Sequence, residues 1–127
     1  MKKNLKLEGK TILIVEDVET SLKFFEAALK NTKANLLYAE TGEEAINIFD
    51  SNPDVSLVLL DLNLPEINGF EVLKHIRKKN KDIPVIVQSA YVLSGEKEQS
   101  MRLGASYFLE KPIRLDVLLD TINNYLN

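Results

Sequence analysis

The chain has 127 residues, 45% apolar and 28% charged, which is the mix of an ordinary globular domain long enough for a real core. A net charge of −3 argues against nucleic acid or an anionic membrane as the main partner. The lack of cysteine excludes disulfides and thiolate chemistry, and no apolar stretch approaches the roughly 20 residues that span a bilayer. The basic start, MKKNLKLEGK, has no apolar signal-peptide core, so a cytosolic address is expected.

Thr11 to Val15, TILIV, is an apolar run closed by the acids Glu16 and Asp17. From Glu19 to Lys30, Leu22, Phe25, Ala28 and Leu29 recur at helical spacing. Asn35 to Ala39 reads as a short strand, and Thr41-Gly42-Glu43-Glu44 as a capping box opening a helix that ends at Asn52-Pro53. Leu57 to Asp61, LVLLD, is a continuous apolar strand that stops on a carboxylate. Pro65 holds Leu64 extended, Asn68-Gly69 turns the chain, and Asn68 can cap the next helix with Glu71 as its partner. That helix buries Phe70, Leu73 and Ile76, and its basic tail, Arg77 to Lys81, reads as a solvated helix end. His75 reads as a surface i,i+4 partner of Glu71.

Pro84 to Val87 is a fourth strand running into Gln88-Ser89-Ala90. Ser94 can cap a fourth helix, the least apolar of the set, which carries Glu96 and Glu98 in its first turn and Gly104 past its end. Tyr107 to Leu109 is a fifth strand ending at Glu110-Lys111-Pro112, and the last helix repeats Leu115, Leu118, Leu119, Ile122, Tyr125 and Leu126. Strict alternation of five strands and five helices predicts an α/β fold: one doubly wound, flavodoxin-like parallel sheet of order 2-1-3-4-5 with helices on both faces. Residues 1–127 read as a single domain with its core at about 10–126.

In that order the first and third strands are neighbours at the switch point, which gathers Glu16, Asp17 and Asp61. Three ionised carboxylates repel, and a hard, oxygen-seeking cation such as Mg²⁺ relieves this. The fourth strand brings the Ser89 hydroxyl and the fifth the Lys111 ammonium to the same rim. A cation, a hydroxyl and a metal around one carboxylate can neutralise the oxygens of a transferring phosphoryl group, with Asp61 as the nucleophile.

These residues resemble the receiver domain of two-component response regulators. The resemblance runs from about Lys10 to Leu126. It rests on Glu16-Asp17, on Asp61-x-x-Leu64-Pro65-x-x-Asn68-Gly69, on Ser89-Ala90 and on Lys111-Pro112. The stretch from Gln88 to Lys97 is similar to receivers attached to hybrid sensor kinases. The resemblance implies a phosphoacceptor at Asp61, Mg²⁺ held by Asp17, Asp61 and the Asn63 carbonyl, and Glu16 acting through water. It implies Lys111 pairing with the phosphoryl group, a Ser89–Phe108 conformational switch and a cis Lys111–Pro112 peptide. The implied donor is a phosphohistidine on a histidine kinase or phosphotransfer protein. The implied output face, the fourth helix, fifth strand and fifth helix, could also pair two copies.

Ser89 stands where Thr is commoner, Asn68 where Asp is common, and Phe108 lacks the hydroxyl of a Tyr. Two other functions compete. A haloacid-dehalogenase-type phosphatase needs an acid two residues after its nucleophile, and Asn63 cannot serve. A degenerate receiver used only for contacts would not need the full set of acids, hydroxyl and lysine.

Overall fold

A computed structural model describes residues 5–90 and 95–127. Five strands, β1 (Thr11–Val15), β2 (Asn35–Ala39), β3 (Leu57–Asp61), β4 (Val85–Ser89) and β5 (Tyr107–Glu110), alternate with α1 (Glu19–Leu29), α2 (Gly42–Ser51), α3 (Gly69–Lys79), α4 (Glu96–Arg102) and α5 (Leu115–Leu126). All pairings are parallel and the order is β2-β1-β3-β4-β5, as the alternation predicts. The central strands are buried on both sides, which is why their sequences are continuously apolar.

Side chains still divide by strand parity. Ile12, Ile14, Leu57, Leu59 and Ile86 pack with Phe25 and Leu29 of α1 and Leu118 and Ile122 of α5. Leu13, Val15, Val58, Leu60 and Val87 face Phe49 of α2 and Val72, Leu73 and Ile76 of α3. Each face removes several large side chains from water, at about 1.5–3 kcal/mol apiece. Leu115 and Tyr125, expected in the α5 stripe, are exposed. The buried part of the helix reduces to Leu118, Thr121 and Ile122, a narrower stripe than the spacing suggests.

The caps follow the sequence. Thr41 Oγ1 accepts the Glu44 N–H at 3.1 Å, and Asn68 Oδ1 accepts that of Glu71 at 3.2 Å. Strand β4 begins at Val85 rather than Pro84, since proline brings no N–H to the ladder. Ser94, the expected cap of α4, lies outside the described residues. The N-cap position falls on Gly95, left-handed at φ 80°, without a side-chain cap. Helix α4 buries only Ser100.

Two basic-tail and surface readings change. Arg77 is half-buried and engaged rather than a free helix end: its guanidinium donates to Gly104 O (2.7 Å), Ile83 O (2.7 Å), Asn80 O (3.2 Å) and Ser106 Oγ (3.3 Å). It stitches the end of α3 to the starts of β4 and β5. His75 lies 2.8 Å from Asp50 of α2, while Glu71 pairs with Lys74. Packing of α2 against α3 brings Asp50 beside His75, and that contact outcompetes the intrahelical one.

Candidate phosphoacceptor site

The carboxyl ends of β1, β3, β4 and β5 form one rim. Glu16 and Asp17 follow β1 directly, Asp61 closes β3, Ser89 closes β4 and Lys111 follows β5. Carboxylate oxygens of Glu16, Asp17 and Asp61 all lie within 4.8 Å of one another. Lys111 Nζ donates to Glu16 Oε1 at 2.9 Å and to Asp61 Oδ2 at 3.1 Å. The Lys111–Pro112 peptide is cis, as the resemblance implies. The Lys111 N–H bonds Ser89 O at 2.9 Å, anchoring the turn to the β4 end.

Burial differs sharply within the acid cluster. Glu16 and Asp61 are buried, whereas Asp17 is exposed. Glu16 Oε2 also accepts the Val18 N–H at 3.1 Å. Burial pushes the Glu16 carboxyl above its ordinary pKa; the Lys111 hydrogen bond pulls it down and the Asp61 charge adds to the rise. For Lys111, burial alone would lower the pKa. The hydrogen bond to Glu16 and the charges of Asp61 and Glu16 outweigh it, so the ammonium is held above its ordinary value. Lys111 therefore stays cationic at physiological pH.

The loop after β3 is shaped around Asp61. Its Oδ1 accepts the Asn63 N–H at 2.9 Å, which leaves Asn63 exposed at the rim. Gly69 N–H closes the loop on Leu62 O at 3.1 Å. A Cβ on Gly69 would come within 2.5 Å of Leu62 Cα and 2.6 Å of Asp61 O. The glycine is required by close approach to the Asp61 backbone, not by a special φ.

Ser89 points to the same rim and is fully buried. Its Oγ lies 3.0 Å from Asn63 Oδ1 and donates to Glu96 Oε1. Asn63 Nδ2 donates to Glu96 Oε2 at 3.3 Å. The sequence presents Glu96 only as a first-turn acid; the signal available was its place right after Gly95 and seven residues beyond Ser89. Phe108 is 9% exposed and packs in the core with Val87. Without a phenolic hydroxyl the ring has no polar group to keep wet, and apolar burial decides its position. Gln88, read only as the run out of β4, is 2% exposed, and neither polar atom of its amide has a partner among the described residues.

The cluster suits a hard divalent cation: three carboxylates supply oxygen donors and neither cysteine nor histidine joins them. Among the described residues no helix is long and apolar enough to cross a membrane.

The chain is similar to known proteins along nearly its whole length. The family model for the response regulator receiver domain matches residues 12–123. The polar-differentiation response regulator DivK of Brucella ovis is 32% identical over 120 residues, covering 92% of this chain and 96% of the relative. A response regulator receiver domain protein from Clostridium thermocellum superposes with a TM-score of 0.86 at 27% identity, over 93% of this chain and 94% of that one. The receiver domain of a sensor histidine kinase from Pseudomonas aeruginosa, solved with magnesium in its active-site cleft, shares the fold at TM-score 0.85 and 24% identity, over 93% of this chain and 98% of that one. The matched span, 12–123, includes every strand-end side chain of the cleft from Glu16 to Lys111, and on that ground the chain belongs to the response regulator receiver domain family of two-component signalling.

Proposed function

We propose that Asp61 accepts a phosphoryl group from a phosphohistidine on a histidine kinase or phosphotransfer protein, and that this changes the α4–β5–α5 face. The observation that carries the reading is the meeting of the Lys111 ammonium with the buried carboxylates of Glu16 and Asp61, with Asp17 alongside. An Asp61 oxygen forms the bond to phosphorus as the phosphorus–nitrogen bond to the donor imidazole breaks, and the electron pair leaves with the nitrogen. Lys111, held protonated, neutralises one phosphoryl oxygen. The Ser89 hydroxyl donates to another, and Ser89 with Phe108 forms the switch. Asp17, Asp61 and the Asn63 carbonyl would hold Mg²⁺, with Glu16 acting through water, and the ion would supply charge neutralisation at the phosphoryl oxygens.

The chain thus catalyses its own phosphorylation and dephosphorylation without acting as a dedicated enzyme. The reading implies a cytoplasmic module, where ATP-fed kinases work. Exposed Met101, Tyr107, Leu115 and Tyr125 lie on α4, β5 and α5, and they favour that face as the surface for output or for pairing two copies. Incubation with Mg²⁺ and acetyl phosphate tests the core of the proposal. The wild type should gain one phosphate by intact mass and Asp61→Asn none; equal labelling of the variant would overturn the assignment.

A further inference from the structure

The Ser89 hydroxyl has one hydrogen to give, and of its two acceptors, Asn63 Oδ1 at 3.0 Å and the Glu96 carboxylate, the charged one is the stronger. The same carboxylate accepts the Asn63 amide through its second oxygen. Glu96 therefore ties three elements together: the end of β4, the loop after Asp61 and the first residue of α4. Service to the helix dipole does not explain this reach, because Glu98 supplies a first-turn charge from an exposed position. Among the described residues the tie is a polar anchor of a weakly held helix. Helix α4 has seven residues, starts at Gly95 without a side-chain cap and buries only Ser100.

We infer that Glu96 is a built-in anionic latch: its carboxylate holds Ser89 and Asn63 in the unphosphorylated state and must release Ser89 before a phosphoryl group on Asp61 can be bound. The inference rests on the proposed phosphorylation of Asp61. The carboxylate and a phosphoryl oxygen are acceptors of the same kind, each forming a charge-assisted bond with the hydroxyl. One hydrogen cannot satisfy both, so the two states exclude each other. Negative charge on Glu96 also opposes the arrival of a dianion at the neighbouring rim. Release frees the first turn of α4, so the latch couples chemistry at Asp61 to the α4–β5–α5 face. The equilibrium between latched and released states sets how readily this receiver is activated, which makes Glu96 a positioning residue acting through Ser89.

Beryllofluoride with Mg²⁺, titrated into the full chain and followed by calorimetry and backbone amide resonances, tests the latch. Glu96→Ala should bind about tenfold more tightly than wild type, the scale of one hydrogen bond to a charged group. Glu96→Gln keeps an acceptor but loses the charge, and should fall between the two. The α4 amides of ligand-free Glu96→Ala should shift toward their positions in the beryllofluoride-bound wild type. In a Ser89→Ala background the Glu96→Ala gain should vanish. Equal or weaker binding by both Glu96 variants overturns the inference, as does a full gain that persists without Ser89, which would make Glu96 a bare charge. Failure of the wild type itself to bind, or unchanged binding by Asp61→Asn, instead removes the Asp61 reading and the latch with it.

Discussion

Lys111 Nζ lies 2.9 Å from Glu16 Oε1, although 95 positions separate the two in the chain. Glu16 is fully buried at its side chain, and Asp61 nearly so, with the ammonium as their shared counterion. Removing the cation leaves two buried carboxylates facing each other. In EDTA, Lys111→Met should lower the unfolding free energy by about 3 kcal/mol. Glu16→Gln in the same chain should recover part of that loss, because the uncompensated charge goes with it. Urea unfolding of the two single variants and the double variant checks this. Strict additivity would show that the pair does not act as a unit.

The fold was legible because strand and helix periods are local properties. LVLLD declares a doubly covered strand, and each of Glu16, Asp61, Ser89 and Lys111 stands at the end of an apolar run, so topology alone gathers them. Asp17 and Asn63 came with their neighbours. Contacts made by long side chains between elements were not legible. Glu96 reaching Ser89, Arg77 reaching Gly104 and His75 meeting Asp50 depend on how helices sit on the sheet, and no spacing rule encodes that. The burial of the Phe108 ring was not legible either, since composition cannot say which way an aromatic on an edge strand points.

Gln88 is the clearest flaw in an otherwise apolar layer. The residue lines an open cleft of about 370 Å³ with Thr20, Ser21, Phe24, Phe25 and Lys111, and its amide nitrogen and oxygen lack partners among the described residues. A buried amide without partners costs about 1–3 kcal/mol. Methionine has similar length and no hydrogen-bonding demand. Gln88→Met should therefore raise stability by about 1 kcal/mol. A thermal melt showing a lower midpoint would mean that the amide is satisfied in solution.

Arg77 should be far more sensitive than its place in a basic tail suggests. Its planar fork serves three backbone carbonyls and the Ser106 hydroxyl, which in turn accepts the Val85 N–H at 3.1 Å. Lysine keeps the charge but cannot reproduce that geometry. Arg77→Lys should cost about 2 kcal/mol, while Lys78→Ala, on the same helix end, should stay within about 0.5 kcal/mol of wild type. Chemical denaturation of both variants tests the contrast. A harmless Arg77→Lys would show that charge alone matters there.

Asp50 and His75 clip α2 to α3, with Lys79 adding a 3.2 Å contact to the same carboxylate oxygen. The His75 hydrogen bond is the main cause that lowers the Asp50 carboxyl below its ordinary value; partial burial opposes it and Lys79 assists. The sign follows from linkage. A carboxyl with a lowered folded pKa favours folding when ionised, so its contribution is complete above the ordinary aspartate value of 3.8 and drains away as pH falls through the folded value. The carboxylate is about one-third exposed, so solvent screens the clip and its worth is at most about 1 kcal/mol. Asp50→Asn should accordingly lose up to that amount at neutral pH, and less in high salt. As the buffer is taken well below 3.8, the wild type loses its advantage and the two unfolding curves should converge. Urea midpoints for both proteins across an acid series read this directly. A gap that stays constant into acid would assign the loss to packing of the side chain rather than to its charge.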